Sequence, residues 1–135
     1  MSAARRGQTL VEMSLVTPLL VLMLCVVIEF GWSFYAMATL GNASRIGARV
    51  GSARLDQQAI EDAVAAARGH LSQTSVAVTV TTSSGVPVAP TDRTPGNYLQ
   101  VEVTSPYRTC TGLVDLSTLA GISQFKDRST FVIGY

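Results

Sequence analysis

The sequence predicts an α+β protein in which a long N-terminal hydrophobic helix precedes a small domain. In that domain a second helix packs on a roughly three-stranded antiparallel β-sheet. Two observations lead to this fold class. Residues 13–28 carry no charge, and Glu29 alone interrupts the uncharged run that continues to Ser44. Beyond residue 75 apolar and polar residues alternate, which is the period of a half-buried strand.

The first helix is predicted to cross a membrane at about residues 10–32. A span needs roughly 20 apolar residues at about 1.5 Å each, and a chain of 135 residues is too small to wrap a helix that is apolar all round. Trp32 and Tyr35 would then lie at the membrane interface, which aromatic rings prefer. Removal as a signal peptide is the weaker alternative, because Ala36-Met37-Ala38 lies too far beyond the apolar run.

Basic residues flank the span on both sides and nearly balance. Arg5 and Arg6 precede it, and Arg45, Arg49 and Arg54 follow it. A short basic stub before a span and a larger polar domain is the layout of an exported, anchored domain. We therefore expect Arg5 and Arg6 in the cytoplasm and residues 55–135 outside.

Glu12 is unusual because it is a carboxylate at the start of the apolar run. A carboxylate at the centre of a membrane helix costs about 2.5–3.5 kcal/mol, less near the ends, and such residues usually have a partner. Cleavage after Gly7 would leave a free amine on Gln8, four residues before Glu12. That amine could pair with Glu12 of the same chain or of a neighbouring subunit.

The N-terminal segment resembles the processing site of type IV pilin-like proteins: Gly7 is followed by the five residues QTLVE, which end at Glu12, and then by the apolar helix. More closely, RRGQTLVEMSLVTPLLVLMLCVVIEFGWSFY followed by LGNASRIGARVGSA resembles TadE-like minor pilins, or pseudopilins, of the Tad (Flp, tight-adherence) pilus. The resemblance implies insertion in the bacterial inner membrane and cleavage of residues 1–7 by a prepilin peptidase. It also implies assembly with other pilin subunits and the pilus machinery for surface adhesion. Gln8 stands where typical type IV pilins have phenylalanine, so N-methylation does not follow.

Other residues of the first helix, expected over 8–54, suggest lateral packing. Pro18 removes a backbone donor and predicts a local kink. Glu29 is either the partner in an intersubunit salt bridge or a carboxylate that reaches interfacial water. Gly47 and Gly51 have GxxxG spacing in a polar segment, which favours close packing or coincidence over a dimer seam.

The sequence of the domain that follows predicts a helix and three strands. Asp56 is a candidate N-cap of a second helix, whose apolar stripe should dock on the sheet: Ile60, Ala63, Val64, Ala67 and Leu71. Alternation predicts strands around 76–81 and 99–104, and 128–135 is the candidate third strand. The proline-rich segment 83–97 between the first two is predicted to be a loop. Residues 111–125 fit either a short helix or an apolar loop.

Several classes of function find no support. A net charge of +1 with 14% charged residues argues against nucleic acid, and the single histidine, His70, argues against a metal cluster. Nucleotide and nucleophile motifs are missing from the sequence. We therefore expect no enzyme, no cofactor and no small-molecule substrate. Cys25 is interpreted as an apolar filler in the bilayer, out of reach of Cys110, and Cys110 as a core thiol or an intermolecular disulfide partner.

The sequence thus favours an assembly protein with Gly7 and Gln8 at a processing site and Glu12 and Glu29 at contacts between subunits. The rival hypothesis is a permanently anchored single-span protein whose outer domain binds a ligand or partner.

Overall fold

A computed structural model describes residues 3–53, 56–92, 94–113 and 115–134. Within them the helices are α1 (Ala3–Ala53), α2 (Gln57–Ala67) and α3 (Leu116–Ala120), and the strands are β1 (Ser75–Thr81), β2 (Pro87–Val88), β3 (Tyr98–Pro106) and β4 (Gln124–Val132). Arg54 and Tyr135, and the side chains of Arg5 and Arg6, lie outside this description. The predicted α+β class with a long N-terminal apolar helix is confirmed.

Helix α1 runs without interruption from Ala3, within the predicted leader, through the span and into the start of the domain. It is long and apolar enough to cross a membrane, and its most apolar window has a mean hydropathy of 2.5 and no buried residue. Pro18 lies inside it, and the hydroxyl of Thr17 donates to the carbonyl of Met13 at 2.7 Å. The kink predicted at Pro18 stays a prediction.

The described strands form an antiparallel sheet in the order β2-β1-β3-β4. Val78 of β1 pairs with Val101 of β3, which in turn pairs with Ser129 of β4. The two predicted strands are therefore neighbours in the register that their alternation requires. The third strand begins at Gln124, earlier than predicted, and the predicted loop contains the two-residue β2. The segment left open contains a short helix, α3, with Asp115 as its N-cap.

The hydrophobic core lies between one face of the sheet and the outer half of α1. Leu99, Val101 and Val103 of β3 are fully buried and face a stripe on α1 with helical spacing, which comprises Ala36, Leu40, Ala43, Gly47, Ala48 and Gly51. Residues 36–51 of the anchor helix are thus also part of the globular core.

Gly47 and Gly51 allow this close approach. A Cβ added to Gly47 would lie 2.7 Å from Val64 Cγ2 of α2, and one added to Gly51 would overlap Leu99. The GxxxG spacing therefore serves packing inside the chain, as predicted.

Helix α2 begins at the predicted cap, where the Asp56 carboxylate accepts a hydrogen bond from the Gln58 N–H at 3.1 Å. Its buried residues, Ile60 and Val64, contact the glycine positions of α1. Its packing is therefore mainly against α1, with a smaller contact to β1, because the α1 glycines offer the closer surface.

A buried polar cluster joins α1 to β4. The fully buried Ser44 donates a short hydrogen bond to the Asp127 carboxylate, and its hydroxyl lies 2.8 Å from that of Ser129. A charged residue on the inward face of an edge strand also discourages pairing with other chains.

Candidate functional site

The predicted processing site lies near the start of α1. An added Cβ at Gly7 would meet no atom within 4 Å, so the backbone there is open on the side that a side chain would occupy. One turn later the Gln8 side-chain amide donates to the Glu12 carboxylate at 3.2 Å. Both side chains are exposed. The structure thus brings Gln8 and Glu12 together, four residues apart on one face of the helix.

Residues 7–24 of α1 are exposed throughout, including large apolar side chains such as Leu10, Leu15 and Leu19. The globular domain does not cover them. Apolar surface of this extent on a soluble protein marks a surface that contacts a membrane or another protein.

Glu29 lies one turn beyond Cys25, the buried residue that ends this exposed stretch, and the structure buries Glu29 completely. Its carboxylate accepts hydrogen bonds from four donor groups of the segment that follows β3. The Tyr107 hydroxyl makes a short bond, the N–H of Cys110 lies 3.0 Å and the N–H of Thr111 3.2 Å from Oε2, and the Thr111 hydroxyl lies 3.3 Å from it. We call this set the Glu29 latch.

The latch is built from neutral donors on the domain, and it satisfies the carboxylate without a neighbouring subunit. A buried charge is tolerated when several hydrogen bonds replace its water. The alternative in which Glu29 reaches interfacial water is therefore wrong in this structure. The intersubunit role of Glu29, like that of Glu12, stays a prediction.

The partners of Glu29 were not predicted from the sequence. Tyr107, Cys110 and Thr111 lie about 80 positions further along the chain, and backbone N–H groups leave no trace in residue type. The available signal was general: a carboxylate in an apolar helix needs a partner, and a polar segment of the same chain can supply it.

Cys25 and Cys110 both lie close to Glu29. Cys25 is buried one turn before Glu29, and the backbone of Cys110 binds Glu29 directly. The prediction that the two thiols cannot reach each other within one chain stays a prediction. Both thiols are free, and Cys110 is exposed, which excludes its interpretation as a core thiol.

The remaining candidate groups are scattered. His70 is exposed in the turn after α2. In the part of the chain that the structure describes, His, Cys, Asp and Glu side chains do not gather in threes that could hold a metal ion.

These features define a class: a small α+β domain whose core is continuous with the candidate membrane helix α1. Residues 7–49 of the chain match the family model of TadE-like proteins. The match covers Gly7, Glu12, Glu29 and Gly47, so the resemblance based on these motifs is confirmed over that range. Comparisons with curated proteins and with solved structures gave no match. The family match and the apolar helix together support a membrane-anchored protein with a TadE-like N-terminal segment.

Proposed function

We propose that the protein is a minor pilin, or pseudopilin, that is inserted in the bacterial inner membrane, cleaved after Gly7 by a prepilin peptidase and used in assembly of a Tad-type pilus for surface adhesion. The observation that carries the proposal is the glycine-x4-glutamate motif at the head of the exposed apolar part of α1, residues 7–24, inside the residues that match TadE-like proteins. Arg5 and Arg6 remain in the cytoplasm, and the domain lies on the opposite side of the membrane.

Glu12 has a definite role in this proposal. Before cleavage its carboxylate already accepts a hydrogen bond from the Gln8 side chain. After cleavage the new amine on Gln8 adds a positive charge to the same turn, where Glu12 of this chain or of a neighbouring subunit can pair with it. In a low-dielectric surrounding such an ion pair is far stronger than in water, so it can fix the register of the helix against its neighbour.

Cleavage predicts a mature chain that begins at Gln8. Intact-mass and terminal-peptide mass spectrometry on protein from cells with active prepilin peptidase should find Gln8 at the N-terminus. Gly7→Val should leave Met1 and the residues after it attached, because this peptidase class requires the glycine. Gly31→Val is the matched control, since an added Cβ meets open space at both glycines. Wild-type protein that retains Met1 in such cells would contradict the proposal and support a permanently anchored protein.

Loss of the Glu12 carboxylate is expected to separate cleavage from assembly. Glu12→Ala should be processed like the wild type, and pili counted by electron microscopy should be mostly lost. Glu61→Ala is the matched control, because Glu61 accepts the same type of bond from Gln57 at 3.1 Å, four residues away on α2. Normal piliation of Glu12→Ala would remove the role assigned to this carboxylate.

A further inference from the structure

Two leucines of the domain are largely exposed. Leu113 and Leu119 are each 75% exposed, and we call them the leucine pair. Both belong to the segment between β3 and β4, and Leu119 lies on α3. Single exposed leucines are ordinary. Whether the leucine pair forms a contact surface therefore depends on where it lies relative to the rest of the molecule.

The Glu29 latch fixes that position. The N–H groups of Cys110 and Thr111 donate to Glu29, and the N–H of Leu113 lies 3.4 Å from the Thr111 hydroxyl. Leu113 is therefore two residues from a direct contact with α1 at Glu29.

Glu29 itself lies where the span leaves the hydrocarbon. Along a helix that rises 1.5 Å per residue, Glu12 and Glu29 are about 26 Å apart, close to the hydrocarbon thickness of about 30 Å. A carboxylate at either end of this interval avoids the high cost of the bilayer centre. Buried Cys25, one turn closer to Glu12, indicates that the domain reaches slightly below the level of Glu29.

We propose that the leucine pair enters the headgroup region of the bilayer on the domain's side, so that the domain contacts lipid at a second place besides the span. The occupant is lipid because the latch holds Leu113 close to α1 where the span meets the membrane boundary. The hydrogen bond from the Tyr107 N–H to the Ser123 carbonyl closes the segment that carries both leucines at the same end of the sheet. The inference rests on membrane anchorage and not on cleavage or pilus assembly.

Nearby charges limit the depth of this contact. The Asp115 carboxylate accepts hydrogen bonds from the Ser117 hydroxyl at 2.6 Å and from its N–H at 2.9 Å, and these bonds lower the pKa of Asp115. An ionised Asp115 keeps the start of α3 among the headgroups. Arg108 is exposed nearby, where its guanidinium can reach lipid phosphate while it also donates to Gln73 at 2.8 Å.

Lipid quenching of a fluorescent label tests the contact in the full chain. We would replace Cys25 and Cys110 by alanine, introduce Leu119→Cys or Leu113→Cys, attach an environment-sensitive dye, and reconstitute one chain per nanodisc of phosphatidylcholine and phosphatidylglycerol. Leu20→Cys is the control inside the span. Val86→Cys is the control at the far end of the domain, because that end of the sheet packs beside Gly51. Circular dichroism checks that every labelled protein is folded.

The label at 119 or 113 should be quenched by spin-labelled lipid several-fold more strongly than the label at 86, and should be shielded from iodide. Equal quenching at 119, 113 and 86 would overturn the proposal. Shielding from iodide without quenching by lipid would also overturn it, since the cover would then be protein. An unquenched label at 20 would instead show that the span is not inserted, which contradicts the anchorage itself.

Discussion

Replacing Glu29 by alanine is expected to release the segment around Cys110 and Thr111 from the long helix. The change leaves four donor groups without their acceptor, and hydrogen bonds to a charged group contribute roughly 1.5–3 kcal/mol each. Water can reach the exposed Cys110 and part of Thr111 once they are released, so we expect a net loss of about 2 kcal/mol. Amide hydrogen exchange at residues 110 and 111 should then be faster by a factor of about 30.

Three variants make this measurement specific to the latch. Tyr107→Phe removes one donor and should produce a smaller increase in exchange at 110 and 111. Glu12→Ala removes an exposed carboxylate from the same helix and should leave both amides protected. Amides of β3 should stay protected in all of them, because the core around Val101 is far from Glu29. Unchanged protection of residues 110 and 111 in Glu29→Ala would contradict the latch.

A single methyl group at Gly47 is expected to destabilise the domain. The new Cβ would lie 2.7 Å from Val64 Cγ2 and 3.3 Å from Val101 Cγ1, and both valines are buried and stiff at χ1. Overpacking of this kind costs about 1–3 kcal/mol, partly offset by the helix propensity of alanine, which exceeds that of glycine by about 1 kcal/mol. We expect a net loss of up to about 2 kcal/mol, which lowers the Tm of a domain of this size by up to about 10 °C.

The matched substitution on the same helix is Gly31→Ala, where an added Cβ meets no atom within 4 Å. Its helix propensity gain is the same and its packing penalty is nil, so the Tm should rise slightly or stay constant. Thermal unfolding followed by circular dichroism in detergent compares the two. A Gly47→Ala protein as stable as Gly31→Ala would show that α1 and α2 separate easily, contrary to the packing described here.

The strands and helices could be predicted where one local pattern dominates. Val76, Val78 and Val80 alternate with the smaller Ala77 and with threonines, and a one-residue shift in register would turn all three valines to the other face. Asp56 has the residue type and position of an N-cap. By contrast, β2 has only Pro87 and Val88, too short for any periodicity, and it pairs only because β1 presents a free edge.

The site was predictable only in its local part. The spacing of Gly7 and Glu12 is a local signal, and α1 does bring Gln8 and Glu12 together. Glu29 was recognised as unusual, but its partners depend on how the segment after β3 folds back on the helix. Two of these partners are the backbone N–H groups of Cys110 and Thr111. Every residue except proline has such a group, so the residue types give no signal for them.

The outer half of α1 has a mechanical consequence. Since residues 36–51 are both a continuation of the anchor and one wall of the core, anchor and domain are joined by packing and not by a flexible linker. A pulling force on the span is therefore transmitted into the sheet through three contacts: the Glu29 latch, the hydrogen bond of Ser44 to Asp127, and the close packing at Gly47 and Gly51. Rotation of the helix about its axis would likewise turn the whole domain, so the anchor sets the direction in which the domain faces.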